Sequence, residues 1–235
     1  MGEFSKLFGV ERNTIRKTCL VTPVLSKVMM KALHVERMYP GAVYSTGDNG
    51  SFSVVATRIG APFVGDAVLY LEDTPCRDLV FFGSCGAAKA SKKLALGALC
   101  IVKKALSQDS FVDILIQRKP SGRFYPDADF YERIVSEDGL SVPVTCLTVG
   151  SLKLEVSYAA SLKKERIDIL DMETAAFYAA ANHSSRRAIA LLFVTDILKK
   201  IPYYEALTKE NRPRTLAIAE KAALEVYRLV HSIAK

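Results

Sequence analysis

The chain has 235 residues, half of them hydrophobic and 24% charged, which excludes a disordered protein and suits one domain over residues 1–235. Lys and Arg number 32 against 25 Asp and Glu, and the net charge of +7 points to an anionic partner: nucleic acid, a membrane surface or a small phosphorylated ligand. The longest apolar runs stop well short of the roughly 18 residues a membrane helix needs, so no membrane partner is expected.

In chain order, Thr18–Val21 reads as a short strand. After Pro23 a helix is predicted over Val24–Val35, with Val24, Val28 and Ala32 on one face. Ala42–Thr46 and Ser51–Thr57 read as a hairpin, because Gly47-Asp-Asn-Gly50 between them carries the Asn-Gly turn signal. Pro62–Leu71 reads as a helix with proline near its first turn. Leu79–Phe82 and Gly97–Leu106 are strands. Residues 107–127 form a long polar excursion. Asp129–Ser136 is a short helix, Val142–Val149 a strand and Leu154–Lys164 a helix. A short strand Asp168–Leu170 leads into an Ala-rich helix, Met172–Ala181. Ala188–Val194 is wholly apolar, which implies burial on both faces, and Arg214–Ile233 is an amphipathic helix. Strands alternating with helices predict an α/β fold: a three-layer αβα sandwich around a central mixed sheet.

Met1–Lys6 lacks a basic stretch followed by an apolar core, so no secretory signal is expected. Five cysteines without a CxxC fit a reducing cytoplasm and support neither a zinc ribbon nor a redox pair. Cys19, Cys100 and Cys146 lie in apolar strand-like runs and read as buried small hydrophobes. His34, His183 and His231 follow no ligand spacing and read as solvent-facing or structural. No metal or cofactor is expected. The basic pairs, such as Lys92-Lys93 and Arg186-Arg187, are scattered rather than clustered, which argues against a nucleic-acid partner.

In such sheets ligands bind beyond the carboxyl ends of strands. Three strand ends therefore matter. Gly83-Ser-Cys-Gly86 follows a buried strand; it is either a tight strand-to-helix turn or a stretch where backbone amides and the Ser84 hydroxyl meet an anion. Asp171-Met-Glu173 puts two carboxylates at a strand-to-helix junction. Asp171 suits an N-cap. That leaves Glu173, which can accept hydrogen bonds from a vicinal diol such as the ribose hydroxyls. Asp196 ends the most apolar strand, either as a loop or cap acid or as a partly buried general acid with a raised pKa.

Together these segments resemble the nucleoside phosphorylase and nucleosidase superfamily, in its hexameric purine and uridine phosphorylase branch with the methylthioadenosine/S-adenosylhomocysteine nucleosidases. Asp171-Met-Glu-Thr-Ala-Ala176 is the most specific match, to the E-M-E-[ST/A]-A-A signature. Arg58-Ile-Gly-Ala-Pro62 resembles the G-x-G-x-P turn, with Arg58 in place of a glycine. Gly83-Ser-Cys-Gly-Ala87 and Leu96-Gly-Ala-Leu99 resemble the G-[ST]-x-G-A/G…V-G-D run, with Ala98 where the aspartate usually stands. The resemblance implies cleavage of an N-glycosidic bond. Met172 would pack on the ribose, Glu173 would hold its hydroxyls, and Asp196 would protonate N7 of a purine. Arg212 would assist Asp196, with Arg214 as the alternative across a longer loop. A homo-oligomer, dimer or hexamer, is also implied.

The nucleophile side departs from this pattern. In Val21-Thr-Pro-Val-Leu25 the arginine of the G-D-P-x-R segment is replaced by Leu25, and Phe81 stands where a second arginine is usual. The arginine that a neighbouring subunit lends has no counterpart in Gly47–Ser53. Gly83, Ser84 and Arg58 remain as the phosphate-side candidates. The water-activating glutamate of nucleosidases is missing too, since no acid lies between Lys17 and Val35. The leading expectation is a phosphorylase with an atypical phosphate site, acting on a nucleoside and inorganic phosphate. The alternatives are a nucleosidase using water and a nucleoside-binding protein without turnover. The basic excess lies in residues 1–40 and 197–235 rather than near these motifs, so net charge adds little to the phosphate reading.

Overall fold

The structure is a computed structural model that describes residues 2–108, 122–137, 139, 141–152 and 159–234. The described elements, in order, are α1 (Glu3–Phe8), β1 (Thr18–Thr22), α2 (Lys27–Ala32), β2 (Met38–Pro40), β3 (Ser45–Asp48), β4 (Ser53–Ala56), α3 (Ala61–Tyr70), β5 (Asp78–Ala87), β6 (Leu99–Gln108), β7 (Arg123–Phe124), α4 (Ala128–Glu137), β8 (Val142–Val149), α5 (Ala159–Lys164), β9 (Ile169–Asp171), α6 (Thr174–His183), β10 (Arg187–Ile197) and α7 (Arg212–Ile233).

Side chains alternate across a strand, and here the alternation separates two cores. Cys19, Val21, Leu79, Phe81, Ala190, Leu192 and Val194 face α3 and the Ala-rich α6. Leu20, Val80, Phe82, Ile189, Leu191 and Phe193 face α2, α4 and α7. Strands β1, β5 and β10 carry apolar residues on both faces because helices cover both, as expected for a three-layer arrangement around a mixed sheet.

The sheet is open on one side and closed on the other. The open part runs β2-β3-β4-β1-β5. Beyond it, β5, β10, β6, β8 and β9 pair in a ring, since β10 joins both β5 and β6 and β9 joins both β8 and β5. Tyr178 on α6 ties this ring internally. Its hydroxyl donates to the Val102 carbonyl at 2.7 Å and accepts from the Ala190 N–H at 3.0 Å.

Several predicted boundaries change. Helix α2 begins only after Ser26, whose hydroxyl accepts from the Met29 N–H at 3.4 Å, so Val24 lies outside it and is exposed. The β3–β4 hairpin has Asp48 paired with Ser53 and turns through Asn49–Phe52, which is longer than a two-residue Asn-Gly turn. The Asn49 side chain organises it by accepting from the Ser51 and Phe52 N–H groups. Strand β5 does not end at Phe82; it stays extended through Gly83-Ser-Cys-Gly86, so the tight-turn alternative for that segment falls. Residues 109–121 of the predicted excursion and residues 154–158 of the predicted Leu154–Lys164 helix lie outside the described residues.

No helix among the described residues is long and apolar enough to cross a membrane. All five cysteines are buried and unbridged.

Candidate active site

The site gathers around the end of β5. On one edge, β5 pairs with β1 only through Phe81 and with β9 only from Gly86. Phe82–Cys85 therefore have no partner strand on that edge. On the other edge, β10 follows β5 to Ala87, and Asp196 pairs with Gly86. Gly86 in turn pairs with Leu170, one residue before Asp171. Two of the strand ends read from the sequence thus lie on either side of the third.

Asp171 is a structural acid. Its Oδ2 accepts from the Thr174 N–H at 2.7 Å, the Glu173 N–H at 3.2 Å and the Thr174 hydroxyl. Its Oδ1 accepts from the Thr148 hydroxyl at 2.6 Å and the Cys146 thiol at 3.3 Å. Every lone pair is occupied, so Asp171 caps α6 and locks β8 to β9. Burial pushes its pKa up against the pull of these bonds.

Glu173 is buried at the start of α6. Its Oε1 accepts from the Gly60 N–H at 2.6 Å and its Oε2 from the Met172 N–H at 3.3 Å. Gly60 precedes α3 with φ +115°, a conformation that favours glycine. Helices α3 and α6 pack on each other, and both bury small residues, Ala61, Gly65 and Ala67 on one and Ala175, Ala176 and Ala179 on the other. That close packing brings Gly60 to Glu173. Burial, and then the Asp171 charge, raise the Glu173 pKa to about 8 in spite of the two amides. Met172, between the two acids, is half-buried.

Asp196 is also buried, with its pKa raised by desolvation against the Thr195 hydrogen bond. A β-bulge between Val194 and Asp196 leaves Thr195 without a register partner. The Thr195 hydroxyl donates to Asp196 Oδ1 at 2.9 Å, with the Cys85 carbonyl an alternative acceptor at 3.3 Å. The sequence marks Thr195-Asp196 as a strand end but gives Thr195 no role of its own; its adjacency to the acid is the available signal.

The phosphate-side candidates divide. Ser84 is exposed on the unpaired stretch of β5. Gly83 is buried, and an added Cβ would meet Leu192 and Phe81 at 3.3 Å. Arg58 is exposed, two residues before Gly60, with its guanidinium 5.6 Å from the centre of the Phe63 ring. Phe81 is fully buried among core residues, and Leu25 packs on the opposite core. Arg212 is exposed at the first turn of α7. Arg214 lines a cleft with Thr195, Ile201, Glu205 and Asn211, so it shares a cavity wall with the neighbour of Asp196. Among the described residues, no group of three or more His, Cys, Asp or Glu side chains is placed to hold a metal ion.

This fold and strand-end arrangement go with a family. The sequence profile of the phosphorylase superfamily matches residues 17–234, and the chain belongs to that superfamily of nucleoside-cleaving enzymes. Its fold is similar to that of the 5'-methylthioadenosine/S-adenosylhomocysteine nucleosidase of S. pneumoniae, solved with a transition-state inhibitor. The TM-score is 0.68 at 18% identity, over 92% of this chain and 99% of that one. It is also similar to the AMP nucleosidase of Bacteroides thetaiotaomicron, with a TM-score of 0.67 at 16% identity over 92% and 90% of the two chains. A search of curated protein sequences finds no match.

Proposed function

We propose that the protein cleaves the N-glycosidic bond of a purine nucleoside and passes the ribosyl group to inorganic phosphate. The observation that carries this reading is the register Asp196–Gly86–Leu170, which puts a buried acid and a buried carboxylate on opposite sides of one strand end. Glu173, exchanging the Gly60 amide for substrate, accepts hydrogen bonds from the ribose hydroxyls, and Met172 packs against the sugar. Asp196 gives its proton to N7 of the base. The C1'–N9 bond breaks with its electrons going to the base, and positive charge spreads over C1' and the ring oxygen. Phosphate then forms the new bond at C1', approached by Ser84, the free edge of β5 at Gly83 and the Arg58 guanidinium. Burial raises the Asp196 pKa, the direction a general acid needs. Arg212 or Arg214 assists Asp196; the cleft shared with Thr195 favours Arg214.

Hydrolysis is the second reading, and one observation favours it. Phe81 is fully buried and Leu25 is a half-buried residue packed on the core, so two positions that hold phosphate in the phosphorylase branch are apolar here. The experiment is a panel of inosine, adenosine and methylthioadenosine with and without phosphate, reading free base, ribose and ribose 1-phosphate separately. Phosphate-dependent base release with ribose 1-phosphate supports phosphorolysis. Free ribose without phosphate supports hydrolysis. Nucleoside binding without base release identifies a binding protein. The reading includes a cytoplasmic homo-oligomer, dimer or hexamer. Sedimentation of the purified protein tests the assembly.

A further inference from the structure

The bond-cleavage reading gives Asp196 the proton but does not say why its neighbour is a glycine. A glycine inside a strand weakens it unless something approaches closely. Gly86 is not among the glycines with positive φ, so its backbone has no need of glycine. It is held on both sides, paired to Asp196 on β10 and to Leu170 on β9. The requirement is spatial. A Cβ built at residue 86 would lie 2.5 Å from Asp196 Oδ2, 3.2 Å from its Cγ and 3.5 Å from its Oδ1, and these are its three nearest atoms. A register shift at Thr195 immediately precedes Asp196, whose carboxyl lies over the neighbouring strand at Gly86. The two oxygens then differ. Oδ1 accepts from the Thr195 hydroxyl, whereas Oδ2 has no hydrogen bond among the described residues.

We infer that Gly86 is a positioning residue for the acid: the missing side chain is the seat of the Asp196 carboxyl, and Oδ2, resting on that seat with no protein partner, is the oxygen that delivers the proton to the base. The inference rests on the proposed glycosidic cleavage. A methyl group at residue 86 would lift the carboxyl off the strand while leaving Glu173, Met172 and the β5 edge in place.

The test uses two substrates that differ in their need for the acid. Inosine must be protonated at N7 as the base leaves. 7-Methylinosine already carries a positive charge there, so its base leaves neutral without a proton. Both are assayed in phosphate buffer with wild type and Gly86→Ala. The expected result is a loss of at least about 100-fold on inosine, the scale of a lost general acid, and a change within a few-fold on 7-methylinosine. Equal losses on both substrates, or no loss on either, overturn the assignment. A wild type that cleaves neither substrate overturns the cleavage reading and this inference with it. If Gly86→Ala does not fold, the double variant Gly86→Ala/Asp196→Ala decides. Removing the carboxyl vacates the space, so the double variant is expected to melt where Asp196→Ala alone does. Failure to recover overturns the inference.

Discussion

The Gly60 N–H donates to the Glu173 carboxylate at 2.6 Å across 113 residues of chain, joining the turn before α3 to the start of α6. The bond gives a buried acid a partner in the free protein. It also holds the carboxylate at the strand ends, where the sugar of a nucleoside would lie.

Replacing that acid tests the ribose role. In Glu173→Gln the amide oxygen still accepts from Gly60, so the fold should persist. The variant loses a charged acceptor, and hydrogen bonds to charged groups contribute about 1.5–3 kcal/mol, so kcat/KM should fall roughly 10- to 100-fold. The penalty should shrink for a 2'-deoxynucleoside, which lacks one of the hydroxyls. Base release from the two substrates checks both statements.

The same residue makes stability depend on pH. Its pKa rises from 4.5 to about 8 on folding, so between those values the folded state holds the proton that the unfolded state has lost. Its contribution is complete below pH 4.5 and is lost as pH rises through about 8. Inside that window the cost is about 1.4 kcal/mol per pH unit. The melting temperature should therefore decline from pH 5 to pH 8 more steeply in wild type than in Glu173→Gln, as read by thermal denaturation at each pH. The buried Asp171 and Asp196 act in the same direction.

The rate should respond to pH with two opposite limbs. In the proposed mechanism Glu173 binds the hydroxyls best when ionised, so its deprotonation gives a rising limb. Asp196 must be protonated, so activity falls as pH climbs through its raised pKa. Asp196→Asn should lower turnover by about 10²- to 10⁴-fold and remove the falling limb. Glu173→Gln should remove the rising one. Profiles of kcat/KM against pH measure both limbs.

Arg58 separates phosphate from water. If its guanidinium meets phosphate, Arg58→Ala should raise the KM for phosphate about 10-fold or more while the KM for nucleoside stays nearly constant. Ser84→Ala should act in the same direction and more weakly. Initial rates over a phosphate titration give the answer.

Tyr178 tests the ring rather than the chemistry. Tyr178→Phe leaves the Val102 carbonyl and the Ala190 N–H buried without their shared partner. The expected loss is about 2–6 kcal/mol from two unsatisfied groups at roughly 1–3 each, measured by urea denaturation.

Local pattern made much of this legible. The unbroken apolar runs Leu79–Phe82 and Ala188–Val194 specified strands covered on both faces, because side-chain direction in a strand has period two and such a run leaves neither face polar. Asp171-Met-Glu-Thr-Ala-Ala marked the junction, and Asp171 turned out to be the cap that its place before a helix suggests. The amino-acid sequence alone therefore determined the layers and most of the elements in order, but not α1, β2 or β7, and it marked the polar segments without showing that Gly83-Ser84 lies inside a strand. The rest depended on partners far apart in the chain. That Gly83-Ser-Cys-Gly86 stays extended follows from β10, roughly 110 residues away, pairing along it; nothing local distinguishes that outcome from a turn. That Glu173 rests on Gly60 follows from the close packing of two small-residue helices. The side of the sheet on which Asp196 lies was decided by one bulge and one missing Cβ, because a side chain's direction at a strand end is set by the neighbouring strand's register.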